Sequence, residues 1–180
     1  MPTSNAPTSN ASVQIHAIEE QVLEAVRRAH RGAAGSEVWS RVASGGEPLR
    51  CCLRDARPGD ELLLFAYELP LPAGPYQETG PIFVHAERCA GWSGEERYPS
   101  EWTRRPQVLR AYDAHGAIHE ATRVHDGTRS EAQLAEVLAQ PGVVEVHSRN
   151  IAYGCFMFRA TPPASSDGAA RGVQRGTPTR

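Results

Sequence analysis

The stretch Gly80-Pro81-Ile82-Phe83-Val84-His85-Ala86-Glu87-Arg88-Cys89 decides how this chain is read. A glycine-proline turn opens it. An alternating run follows, with Ile82, Val84 and Ala86 on one face and Phe83, His85 and Glu87 on the other. This is a strand that carries an imidazole and ends beside a thiol. A second segment, Val146-His147-Ser148-Arg149-Asn150-Ile151-Ala152-Tyr153-Gly154-Cys155-Phe156, brings the same residue types to the end of another strand-like run.

Working outward, residues 61–67 contain Leu62-Leu63-Leu64-Phe65, a run too apolar to alternate, as expected of a strand covered on both faces. Residues 38–42 and 49–53 are shorter strand candidates, and Asp55-Ala56-Arg57-Pro58-Gly59-Asp60 is a turn. Further on, residues 107–112 read as a strand and Asp113-Ala114-His115-Gly116 as a hairpin turn, from which 117–124 return. Residues 143–148 and 155–160 are the closing strands.

Two helices complete the pattern. In 13–31, Ile15, Ile18, Val22, Val26 and Ala29 make one apolar stripe, with acids early, arginines late and Ser12 placed to cap it. A second helix, 131–140, is capped by Ser130 and stopped by Pro141-Gly142. Residues 1–12 repeat Pro-Thr-Ser-Asn-Ala, and 161–180 are rich in proline, glycine, serine and arginine, so both are expected as disordered tails. The folded part, 13–160, is expected to be a single α+β domain with a mixed or mostly antiparallel sheet of about six strands and two helices.

All nineteen basic residues are arginine, which removes Schiff-base, P-loop and pyridoxal-anchoring lysine chemistry. Between residues 13 and 160, sixteen arginines face twenty acids, so there is no broad basic footprint for nucleic acid. No apolar run approaches the roughly 18 residues of a membrane span. The N-terminus lacks the charge and apolar core of a signal peptide, so a cytoplasmic protein is the expectation. Cys51 and Cys52, as neighbours on a strand, would point to opposite faces and not pair. Reduced thiols or metal ligands are the better reading of the four cysteines.

Five segments carry a resemblance: Pro48-Leu49-Arg50-Cys51, the 55–61 turn, Gly80 to His85, Leu109-Arg110-Ala111-Tyr112-Asp113, and His147-Ser148-Arg149-Asn150 with Tyr153-Gly154-Cys155. In that order they resemble an uncharacterised bacterial family, domain of unknown function 1203, over roughly residues 38–160. The resemblance implies a single-domain bacterial protein and brings no activity.

Three chemistries are open to the candidate residues. His85, Cys89, His147 and Cys155 are a legitimate tetrahedral set for zinc, although no Cys-x2-Cys element supports it. Cys89 could be a nucleophile activated by His85 or His147, with Asn150 orienting the imidazole. Arg149, Arg110 and Arg50, with Tyr153, could grip a small anionic ligand unless each arginine pairs with a nearby acid. The first expectation is therefore an enzyme or small-molecule binder with a pocket lined by His85, Cys89, His147, Arg149, Asn150 and Cys155. The alternative is a non-catalytic interaction module that uses the aromatic loop 89–106, with Trp92, Tyr98 and Trp102.

Overall fold

The apolar run and the alternating stretch pair with each other. In the computed structural model, which describes residues 13–93 and 96–163, strand β5 (Glu61–Glu68) lies antiparallel to β6 (Thr79–His85), from Leu62 opposite His85 to Glu68 opposite Thr79. On one side β5 pairs with β2 (Trp39–Val42). On the other, β3 (Pro48–Leu49) runs parallel to β6 and antiparallel to β4 (Arg54–Asp55). The result is a five-stranded mixed sheet ordered β2-β5-β6-β3-β4.

The remaining strands form a second sheet of five, all antiparallel. Its members are β1 (Gln14–His16), β7 (Gln107–Tyr112), β8 (Arg123–His125), β9 (Glu145–Asn150) and β10 (Phe156–Thr161), in the order β1-β10-β9-β7-β8. Helix α1 (Glu20–Ala29) buries Leu23 and Val26 into the core of the mixed sheet, while α2 (Ser130–Leu138) buries Leu134, Val137 and Leu138 into that of the antiparallel one. The α+β class and the two helices are as read from the sequence. The single sheet of about six strands expected from the sequence is two sheets of five, and β1, β3, β4 and β8, two or three residues long, are too short for alternation to announce them.

The first helix begins later than expected. Val13 and Ile15 are buried while Gln14 between them is exposed, the period of a strand, and Ile15 pairs with Ala160 at the sheet edge. Ile15 and Ile18 fit a helical stripe equally well, but pairing with β10 satisfies the backbone of 14–16 and wins. The cap expected from Ser12, the tail 1–12 and all of the expected tail 161–180 beyond residue 163 lie outside the described residues, while Thr161 is the last residue of β10.

The aromatic loop folds inward. Trp102 is fully buried, stacks on Phe158 and donates from Nε1 to Asp55 Oδ1 at 2.9 Å. Tyr98 is buried edge-on against Phe158. These two side chains are core rather than an exposed docking patch. Among the described residues no helix is long and apolar enough to cross a membrane.

Candidate metal centre

The centre starts from the short hairpin β3–β4. Leu49 sits beside Phe83 in parallel register, and the Arg50 amide donates to the Phe83 carbonyl at 2.9 Å, so the hairpin is fixed to β6. The chain then turns through residues 50–53 and closes with the Leu53 amide donating to the Leu49 carbonyl at 2.9 Å. Leu53 adopts φ 52°, a left-handed conformation that costs a non-glycine residue roughly 1–2 kcal/mol. Its buried side chain, packed in the core of the antiparallel sheet, offsets that cost.

This turn overturns the opposite facing expected of the two adjacent cysteines, which are free thiols as expected. Residues 49–53 are not one strand, so Cys51 and Cys52 need not point apart, and their sulfurs lie 3.9 Å from each other. Strand β6 supplies the third group. His85, its last residue, turns Nδ1 to Cys51 Sγ at 3.4 Å and Cys52 Sγ at 3.8 Å. Cys89 follows in the exit from β6. The Arg27 side chain of α1 pins that exit, donating to the carbonyls of Ala86, His85 and Glu87. One ligand atom from each of Cys51, Cys52, His85 and Cys89 lies within 4.8 Å of all the others. These four residues could hold a metal ion.

A second layer surrounds the four. The His85 amide donates to Cys51 Sγ at 3.4 Å. His85 Nε2 lies 3.1 Å from Arg54 Nη2 and 3.5 Å from Asp60 Oδ2. The Arg57 amide holds that carboxylate in place at 2.9 Å. Arginine can only donate, so Nε2 accepts this bond and Nδ1 carries the ring proton toward the sulfurs. Burial, then Arg54, pushes His85 below the ordinary histidine value, which keeps the imidazole neutral as a ligand must be. The hydrogen bond between the paired thiols raises Cys51 and lowers Cys52, and burial raises Cys89.

The structure brings His85 and Cys89 together and sets the other expected residues elsewhere. His147 is fully buried in β9 of the antiparallel sheet, between Tyr112 and Phe156, with Nε2 3.2 Å from Glu145 Oε1. Cys155 lies in the β9–β10 turn and directs its sulfur to the Tyr153 carbonyl at 3.7 Å. Asn150 Oδ1 accepts from the Tyr153 amide in that turn, and Tyr153 itself is 83% exposed.

The expected ligand-gripping arginines are occupied by acids. Arg149 and Arg110 converge on Glu78, at 2.7 and 3.2 Å. Arg50 is buried and joins the sheets, donating from Nε to the Phe156 carbonyl at 2.7 Å; burial lowers it to about 10. Sequence reasoning missed Cys51 and Cys52 as partners of His85. The available signal is their adjacency, two soft ligands in two residues, and on a strand over 49–53 that adjacency points the two sulfurs apart.

The fold and this site define an α+β protein with a three-cysteine, one-histidine cluster at the junction of a hairpin and a central strand. The chain belongs to the family described as Protein of unknown function (DUF1203), which it matches over residues 46–161. That span contains all four cluster residues and leaves out α1. No curated protein and no solved structure matches the chain.

Proposed function

We propose that Cys51, Cys52, His85 and Cys89 bind a single zinc ion and that the ion fastens the β3–β4 hairpin to the exit of β6. The convergence of the ligand atoms carries this reading. A tetrahedral zinc with bonds of about 2.0–2.3 Å requires ligand atoms roughly 3.5–3.8 Å apart. Three of the separations here are 3.9, 3.4 and 3.8 Å. Three soft sulfurs with one imidazole suit zinc in a tetrahedral site, and four protein ligands leave no open position for a substrate. The role supported best is therefore structural rather than catalytic.

The surroundings suit a bound ion as well. With Nδ1 given to the metal, the ring proton moves to Nε2, Arg54 must give up its bond to that nitrogen, and Asp60 can accept the proton, the usual arrangement behind a metal-ligating histidine. Three thiolates and a divalent ion leave one net negative charge, which Arg54 beside His85 opposes. Reduced thiolate ligands fit a cytoplasmic protein.

The test is elemental analysis of the full chain purified without an affinity tag or added metal. About one zinc per chain, lost in Cys89→Ser, is the expected result. A folded, metal-free protein that takes up no zinc when it is supplied would remove the reading.

A small-molecule role attaches to a different place. A cavity of about 760 Å³ opens between α1 and β5, with Val22, Ala25, Phe65 and Tyr67 and the polar His16 and Arg159 among its lining residues. Its size and largely apolar lining are those of a small-ligand pocket. A thermal-shift screen of apolar acids against His16→Ala and Arg159→Ala variants tests it.

A further inference from the structure

We propose that Cys89 is a site of oxidation by hydroperoxides, that Cys52 resolves it as a disulfide, and that the centre releases its metal when this happens. The inference rests on the zinc reading above. Its observations are the unequal exposure of the three sulfurs and the geometry that decides which pair can join.

Cys51 and Cys52 are 2% and 8% exposed, whereas Cys89 is half-buried and flanked by the exposed residues Arg88 and Ala90. An oxidant arriving from solvent meets Cys89 first. Arg27 holds the exit as far as the Glu87 carbonyl, and residues 88–93 beyond it belong to neither a helix nor a strand, which leaves Cys89 less constrained than a sulfur on the β3–β4 turn. In the zinc-bound centre Cys89 is held as the thiolate, the nucleophilic form of the sulfur.

The partner is fixed by elimination. Cys51 and Cys52 are joined by a trans peptide, which holds their Cα atoms about 3.8 Å apart, short of the roughly 4.4–6.8 Å span of a disulfide. They cannot readily join each other. Cys51 is engaged by the amide and by Nδ1 of His85, both at 3.4 Å. The thiol and imidazole contacts of Cys52 are longer, 3.9 Å to Cys51 and 3.8 Å to His85, so it is the less tightly held of the two toward the cluster. The Cys52 and Cys89 sulfurs must close from at most 4.8 Å to about 2.05 Å, a movement within reach of the loop.

The chemistry balances in two steps. The Cys89 thiolate attacks a peroxide oxygen; the S–O bond forms, the O–O bond breaks, and the leaving alkoxide or hydroxide takes up a proton. The Cys52 thiolate then attacks the Cys89 sulfur; the S–S bond forms, the S–O bond breaks, and hydroxide leaves and is protonated to water. Two thiolates, one hydroperoxide and two protons give one disulfide, one alcohol or water, and one further water. The two sulfurs lose two electrons to the peroxide, zinc keeps its charge, and an ion left with one thiolate and one imidazole departs.

The experiment begins with the full chain, its zinc content measured before oxidation. One equivalent of hydrogen peroxide is added, and zinc release is followed with a chromogenic chelator alongside the free-thiol count. Trypsin cleaves after Arg50, Arg54, Arg88 and Arg97, so the expected disulfide joins peptide 51–54 to peptide 89–97. Cys51→Ser and Cys52→Ser tell which sulfur of the first peptide takes part, because only the second abolishes the link. The expected result is loss of two thiols and about one zinc per chain, reversed by dithiothreitol with added zinc and unchanged in Cys155→Ser. Zinc bound one-to-one but retained under excess peroxide, or released without the 51–54 to 89–97 link, overturns this inference and leaves the zinc reading standing. A chain that holds no zinc before oxidation overturns both.

Discussion

The ends of β6 and β9 carry the same residue types, a histidine on the strand and a cysteine beyond it, yet they do different things. At the end of β6 the side chains converge: four ligand atoms face one another within 4.8 Å, with no acid among them. Around β9 they disperse into pairs. His147 stands against Glu145, which also accepts from Arg159 Nε at 2.7 Å, while Arg149 goes to Glu78. The difference comes from what each strand lies beside. Strand β6 lies next to a tight turn that presents two more sulfurs. Strand β9 has charged partners at hand, Glu145 on β9 itself, Arg159 on β10 and Glu78 just before β6, and a charged or polar group with a good partner is no longer available to a metal.

The sharpest way to break this comparison is to remove one sulfur from each side. Cys52→Ser should abolish stoichiometric zinc binding, whereas Cys155→Ser should leave it intact, both read by elemental analysis. Equal loss in the two variants would mean that the β9 end contributes to the metal after all.

The reverse test concerns stability. His147→Ala empties a fully buried site and leaves Glu145 short of a partner, so denaturant unfolding should show a loss of about 3 kcal/mol with zinc content unchanged. A smaller and metal-independent signal lies in pH. His147 is pushed below its ordinary value of 6.5, chiefly by burial. In Glu145 burial acts upward, but its contacts with His147 and with the Arg159 guanidinium outweigh it and hold the carboxyl low.

Both folded-state values lie below the unfolded ones, so the unfolded chain binds more protons and stability increases with pH. The His147 contribution is fully present above 6.5 and is lost as pH falls through its depressed value; Glu145 follows at lower pH. Unfolding free energies of metal-free protein measured between pH 7 and pH 5 should fall, and less steeply in His147→Phe. An identical slope in the variant would assign the effect to other groups.

Around the metal centre the comparison sharpens with Asp60→Asn. Loss of the carboxylate behind His85 should weaken zinc binding about 10- to 100-fold in a competitive chelator titration without unfolding the chain. The smallest effect is expected at the tip of the β9–β10 turn. Tyr153→Ala, at a position 83% exposed, should change stability by less than about 0.5 kcal/mol, and a larger change would point to an unseen partner of that turn.

Much of the scaffold was legible because long elements advertise their period. The runs at 61–67 and 82–87 announced β5 and β6, Ser130 and Pro141-Gly142 bracketed α2, and His85 and Cys89 were picked out together. The division into two sheets was not legible, because β3 and β4 have two residues each and are held by partners distant in sequence. The cluster failed to show for a related reason. Leu53 takes its left-handed conformation without a glycine to signal it, so the turn that aims Cys51 and Cys52 at His85 looked like a continuing strand.

By itself, then, the sequence determined the α+β class, the two helices, the absence of lysine chemistry, the family, and half of the cluster. These follow from local periodicity and from residue identity, which need no knowledge of neighbours. Only the tertiary structure decided which thiols meet His85 and which histidine is sealed into a core. Those outcomes depend on a turn held by the parallel pairing of Leu49 with Phe83, a contact between residues far apart in the chain that no local pattern encodes.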